Sequence, residues 1–399
     1  MLSLILVSTI NVIIIGHKSK VVAFSVDPNG NYLASGDESG VAIVWNVYTG
    51  RILKQYKFEE MIHDVQWNKN KDLQLLAITT DGDNIIIINP GLAPFDQSKS
   101  TDQLLLTYNK AHKVNAAKEE AEDNKKQDEN DEEEKEDDKE EKGKTKKPKE
   151  KGATKKKKQQ KSVWKYYEET SEEYRLQDRR IEIKLDVVPH KLVWHTKGDY
   201  FATVASHTQT TSQILIHSLS KSKSQVPFAK AKGIVECVEF HPEKPFFFIA
   251  TRRTIYVYNL QKQLLIKKFT STAQWISSIS IHPKGDNFIV GTYDKRVLWF
   301  DMDMGTKPYK VLKYSDRAVR KVDFHNKYPL FASASDDGSV YIFHGMVYDD
   351  LLQNALVVPL KLLQGHKTME GLGVLCCAFH PKQPWIFSSG ADCSLKLWS

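Results

Sequence analysis

The chain has 399 residues, 41% of them hydrophobic and 27% charged, with a formal net charge of +7. That composition excludes a wholly disordered chain and leaves room for two or three ordinary domains or one large repeat architecture. The four cysteines, Cys237, Cys376, Cys377 and Cys393, contain no C-x-x-C pair, which argues against a zinc knuckle or a secreted disulfide framework and for a reducing compartment.

The first fifteen residues, MLSLILVSTINVIII, are apolar and uncharged. No Lys or Arg precedes the run, as a signal peptide requires, and it is shorter than the roughly 20 residues that span a bilayer. Ile5, Val7, Thr9, Ile10 and Val12 to Ile15 are β-branched and read as strand. A signal or anchor segment is the alternative.

Further along, a strand ending in an apolar or aromatic residue, then His, Asp or Asn and often Pro, recurs seven times: Val26-Asp27-Pro28, Trp67-Asn68, Trp194-His195, Phe240-His241-Pro242, Ile281-His282-Pro283, Phe324-His325 and Phe379-His380-Pro381. Most intervals lie between 41 and 46 residues. Such a period marks a repeat architecture, and the anchors lack the 3.6-residue periodicity of a helical solenoid. After an anchor comes a second strand, an Asp/Gly turn and a third strand, as in NYLASGDESGVAIVW, DNFIVGTYDKRVLWF, PLFASASDDGSVYIF and PWIFSSGADCSLKLW. Short strands at this spacing predict four-stranded blades set radially.

The long interval after Asn68 holds a change of composition. Residues 118–142 carry fifteen acids and six lysines, and 143–161 carry ten lysines and one Glu. These opposite charges cancel, and neither half has the apolar residues to offset its ordering entropy, so disorder is expected across the insertion. Lys146, Lys147, Lys149, Lys155, Lys156, Lys157 and Lys158 read as a nuclear-import or nucleic-acid-binding tract, with a solubilising loop as the alternative. The domain reading is then 1–93 as a closing strand with blades one and two, 94–162 as the disordered insertion, and 163–399 as blades three to seven. With residues 118–161 neutral, the net charge of +7 belongs to the rest of the chain. Arg252, Arg253, Arg317, Arg320 and Lys321 are candidate contacts to RNA or a protein partner; solvated surface charge is the plainer reading of each.

These repeats resemble the WD40 family, with Gly-His at Gly16-His17 and Gly365-His366 and a terminal Trp at Trp45 and Trp398. The fold class implied is all-β, a seven-bladed WD40 β-propeller with a disordered charged insertion. The resemblance also implies a buried hydrogen-bonded tetrad in blade seven, formed by His366, Ser388, Asp392 and Trp398. Asp294 and Asp337 keep the turn carboxylate of blades five and six. Ser39 stands where blade one should have its Asp, Ser315 where blade six should have its His, and Phe343 where blade six should have its Trp. Cys393 replaces a turn glycine, which costs about 1 kcal/mol if that position needs φ > 0. The blade-seven repeat ends at its third strand, so residues 10–15 are expected to supply the fourth.

Searched for catalysis, the chain holds no G-x-S-x-G, Walker A, H-E-x-x-H or Gly-rich dinucleotide loop. Its histidines fall largely at repeat anchors and Asp336-Asp337 in a turn. The expectation is a scaffold without cofactor, metal or membrane contact.

Several segments exceed what a propeller needs: WHTKGDYFATVA, FHPEKPFFFIATRRTIYVYNL, HPKGDNFIVGTYDKRVLWFDMDM, the run from HNKYPLFASASDDGSVYIFHGMVYDDLLQN to LLQGH, and FHPKQPWIFSSGAD. They resemble the block-of-proliferation (Bop) family of eukaryotic ribosome biogenesis proteins, in its C-terminal propeller portion. That resemblance implies a nucleolar factor in large-subunit (60S) pre-rRNA processing. It also implies, as partners, pescadillo, a second WD-repeat protein and preribosomal RNA of the pre-60S particle. In that family the pescadillo-binding region precedes the propeller, and MLSLILVSTINVIII does not resemble it. A WD40 adaptor of another nuclear complex is the competing reading.

Overall fold

A computed structural model describes residues 12–92, 100–114, 162–205, 213–227, 233–348 and 355–399. Seven antiparallel sheets are present among them, six of four strands and one of five. The first strand of each sheet is Val21–Val26, Ile62–Trp67, Lys191–Trp194, Val235–Phe240, Ile276–Ile281, Val319–Phe324 and Val374–Phe379. Each packs on the next, and the last returns to Val21–Val26, so the seven sheets close as blades around a central channel.

The core lies between blades rather than within one layer. Each of seven apolar clusters joins one neighbouring pair. Between blades four and five, for example, Phe248, Phe269, Phe288 and Phe300 meet, with Phe288 stacked on Phe300 at 4.8 Å between centroids. The alternation of strand side chains is what allows this: each sheet is buried on both faces, so each strand feeds two clusters.

The ring closes at its ends. Val12–Ile14 pairs antiparallel with Leu395–Trp398, in the register Val12↔Leu397, Ile13↔Lys396 and Ile14↔Leu395. Blade seven therefore takes its outermost strand from the start of the chain.

Two boundaries of the sequence reading need correction. Residues 163–184 do not open blade three. Val163–Tyr166 and Arg179–Lys184 pair with each other, and Arg179–Lys184 also pairs with Asn84–Ile88, so both complete blade two. Disorder across 94–162 is likewise contradicted at 100–114, which is helical. Leu105 there is buried in the core between blades two and three, and Asp102 accepts from Asn89 Nδ2 and Arg180 Nε, each at 2.8 Å. The Leu104, Leu105, Tyr108 pattern has helical spacing, which the neighbouring charge blocks obscured. Residues 115–161, with all the lysines of the basic tract, lie outside the described residues. Among the described residues no helix is long and apolar enough to cross a membrane.

Candidate interaction face

Strand direction sorts the loops onto two faces. One carries the anchor turns that follow each innermost strand; the other carries the crossovers between blades and the turns between second and third strands. Backbone polar groups in the anchor turns must be satisfied locally, and the anchor residue does so. His241, His325 and His380 each accept through Nδ1 from the amides two and three residues on, at 2.8–3.1 Å. Asp27 and Asn68 use carboxylate and amide oxygens in the same way. Burial pushes the His241, His325 and His380 imidazoles below their ordinary pKa and so favours this neutral form.

On the crossover side, blade seven brings His366, Ser388, Asp392 and Trp398 into one buried network. Ser388 Oγ accepts from Trp398 Nε1 at 2.7 Å and lies 2.7 Å from His366 Nε2, while His366 Nδ1 is 3.0 Å from Asp392 Oδ1. Burial raises the Asp392 carboxyl, but hydrogen bonds from His366 and Ser394 outweigh it and hold the group well below the usual carboxylate range. Cys393 adopts φ +59°, the left-handed conformation for which its missing glycine is suited.

Blade one holds a second complete tetrad that the sequence reading missed: His17, Ser35, Asp37 and Trp45. His17 is 2.7 Å from both Asp37 Oδ2 and Ser35 Oγ, and Trp45 Nε1 donates to Ser35 Oγ at 2.8 Å. Reading Ser39 as the substitute for a lost Asp is thus a misplacement. Asp37 reaches the histidine from the end of the second strand, two residues earlier, and Ser39 donates to it. In blade seven that earlier position is Gly390, where a Cβ would sit 2.4 Å from His366 Nδ1. A fixed offset of ten residues from Ser to Trp in both blades was the available signal.

Elsewhere the turn carboxylates work locally. Asp294 accepts from Gln274 N–H at 2.6 Å, and Asp337 from Asp316 and Ser339 N–H. Phe343 stacks on Phe331 at 4.7 Å in the apolar core. Blade three builds its own network, with Thr203 Oγ1 and Ser224 Oγ each 2.8 Å from His217, and Trp164 Nε1 of blade two donating to Ser224.

The candidate basic contacts divide. Arg252 and Arg253 form the second turn of blade four, Arg317 lies in the crossover into blade six, and Arg320 follows it, so all four share the crossover face. Lys321 does not join them, which corrects its reading as a surface contact. It sits on the innermost strand of blade six, inside the channel. Burial alone would lower its pKa; Cys376, Asp64, Asp323 and Glu239 around it outweigh that and raise it. The same channel side chains stitch blades together, Asp64 accepting from Leu192 N–H and Asp323 from Phe379 N–H, both at 2.9 Å.

Across blades four to six the arginines interleave with two aromatic rings. The Arg252 guanidinium lies 4.2 Å from the Trp275 ring and its Nε is 3.1 Å from Glu236 Oε1. Trp275 meets Tyr293 edge to face at 5.3 Å. Arg320 lies 5.1 Å from the Tyr293 ring and pairs with Asp336 at 2.7 Å. Beside this row opens a cleft of about 870 Å3, lined in part by Arg252, Arg253, Trp275, Tyr293 and Arg296. Preorganised guanidinium groups of this kind suit an anionic partner.

Comparison with known proteins agrees with the ring. The model of the WD domain, G-beta repeat, matches residues 8–46, 263–301, 306–344 and 357–399. Each match runs from an outermost strand into the next blade, with blades two to four left to the geometry. The chain is 41% identical over 384 residues to the ribosome biogenesis protein bop1 of Danio rerio, covering 96% of this chain and 43% of that protein. It is 41% identical to BOP1 of Rattus norvegicus and 42% identical to bop1-A of Xenopus laevis, over 46% of each. The chain thus spans less than half the length of these curated relatives.

Proposed function

The chain belongs to the BOP1 family of ribosome biogenesis proteins over the stretch it spans, and on that premise we propose that it is a propeller scaffold in maturation of the large (60S) ribosomal subunit. The observation that carries this reading is the extent of likeness, 41% identity across 96% of the chain. A ring with two complete tetrads and two open faces suits a platform for several partners at once. In this reading the crossover face, with Arg252, Arg253, Arg317 and Arg320, supplies contacts within the pre-60S particle. A second WD-repeat protein, preribosomal RNA and pescadillo are its proposed neighbours, and its place is the nucleolus and nucleoplasm. Lys146, Lys147, Lys149 and Lys155 to Lys158 serve nuclear import.

Sedimentation of the tagged chain from nuclear extract tests the reading. Co-migration with pre-60S particles is the expected result, and co-migration with another nuclear complex instead would replace it with the adaptor reading. Deleting 115–161 is expected to leave the melting temperature nearly unchanged and to shift the protein toward the cytoplasm.

A further inference from the structure

Three features of the arginine cleft point to what it holds. Arg252 is committed to Glu236 and to the Trp275 ring. Arg253 and Arg296 line the same cleft, and their guanidinium groups have no partner among the described residues. The Trp275 Nε1 donor is buried out of reach of solvent and unpaired among the described residues, as is that of Trp67, so what Trp275 offers the cleft is its ring, beneath Arg252.

We propose that this cleft binds a short acidic peptide segment of a protein partner, with carboxylates held by Arg253 and Arg296. The proposal rests on reading the crossover face as an interaction surface. Arginine forks pair bidentately with carboxylates, and three arginines face one aspartate, Asp294, in the lining. At about 870 Å3 the cleft takes a few residues. Two observations favour a peptide over single-stranded RNA. Nucleobases bind by stacking on open rings, whereas guanidinium groups already cover Trp275 and Tyr293. A phosphate backbone needs a continuous basic track, yet on this face Asp336 neutralises Arg320 and Glu370 pairs with Lys20.

The test is fluorescence anisotropy on the full chain, with a labelled ten-residue peptide rich in Asp and Glu, its Asn/Gln counterpart and a ten-nucleotide oligouridine. The acidic peptide is expected to bind at least about tenfold more tightly than the amide peptide. Arg253→Ser with Arg296→Ser should weaken it about tenfold or more without moving the unfolding midpoint, because neither side chain has a structural partner. Equal binding of the acidic and amide peptides, or an unaffected double variant, overturns the proposal. Tighter oligouridine binding that the double variant abolishes overturns it in favour of nucleic acid. Co-sedimentation of the wild-type chain with pre-60S particles is scored separately. If it persists while the peptide fails to bind, the peptide proposal falls alone; if it fails while the peptide binds, the ribosomal reading falls alone.

Discussion

His380 Nε2 lies 2.9 Å from the carbonyl oxygen of Gly30, joining blade seven to blade one across 350 residues of sequence. The same imidazole caps its own turn through Nδ1, so one side chain both shapes a blade and fastens it to its neighbour. His325 repeats the arrangement on Gln383 O, and Asn68 on Gly198 O. At these three anchor positions the repeat residue is therefore a staple between blades.

Gly30 makes that joint testable. It has φ +80°, and a Cβ there would sit 2.3 Å from His380 Nε2. Gly50 has φ +65° with nothing within 4 Å of a Cβ. Gly50→Ala should cost about 1–2 kcal/mol from left-handed strain alone. Gly30→Ala should cost roughly 1–3 kcal/mol more, because it also displaces a buried imidazole from its acceptor. Urea unfolding of the two variants measures the difference, and equal losses would mean that the contact contributes nothing.

The two tetrads predict an ordering of variants in blade one. Asp37→Ala strands the buried His17 Nδ1 and removes the acceptor of Ser39 and Val41 amides, at a cost of about 1–3 kcal/mol. Ser39→Ala removes one hydroxyl donor at a partly buried site and should cost no more than about 1 kcal/mol. If Ser39→Ala proves the more damaging, the carboxylate of this blade has been assigned to the wrong residue.

Much of the ring was legible because repetition averages out local ambiguity. Seven anchors, four of whose six intervals fall between 41 and 46 residues, outweigh any single weak strand, and the blade-seven tetrad matched residue for residue. What escaped depends on contacts that spacing does not encode. The Asp37 carboxylate reaches its histidine from a position two residues off the repeat. Val163–Tyr166 joins blade two from beyond an insertion, and Thr203, His217 and Ser224 form a network with no repeat signature. Lys321 looked like its arginine neighbours in sequence, but a single residue along a strand moves a side chain from the face into the channel.

Acid should weaken the fold through its buried histidines. Burial pushes His217 down to about 3 and His282 to about 4. A folded pKa below the unfolded value near 6.5 means that the neutral form is favoured on folding. The stabilisation is complete above pH 6.5 and is lost as pH falls from 6.5 toward those values. His217→Gln should be less stable than wild type by about 1–3 kcal/mol at pH 7, through lost bonds to Thr203 and Ser224. The gap should narrow by pH 4. Parallel stability curves for the two proteins between pH 7 and 4 would show that His217 does not titrate on unfolding.

Closure of the ring by the chain start gives the last prediction. Ile14 is 6% exposed, packed with Val21, Phe24, Phe387 and Leu395 between blades seven and one, while its neighbour Ile13 is 51% exposed. Alternation along the short strand thus separates a core residue from a surface residue without changing the backbone pairing. Ile14→Asp places a carboxylate in an apolar cluster and should cost several kcal/mol, whereas Ile13→Asp should cost less than about 1 kcal/mol. Closure is also local, so the damage should spread from the seam. In Ile14→Asp, hydrogen exchange should accelerate at residues 395–397 and 21–24, while 276–281 of blade five, far around the ring, stays protected. The exposed edge of Leu395–Trp398 should then promote association between copies, visible as concentration-dependent light scattering. Equal exchange at the seam in both variants would mean that Val12–Ile14 does not hold the ring shut, and uniform acceleration in all blades would mean that the seam opens only with global unfolding.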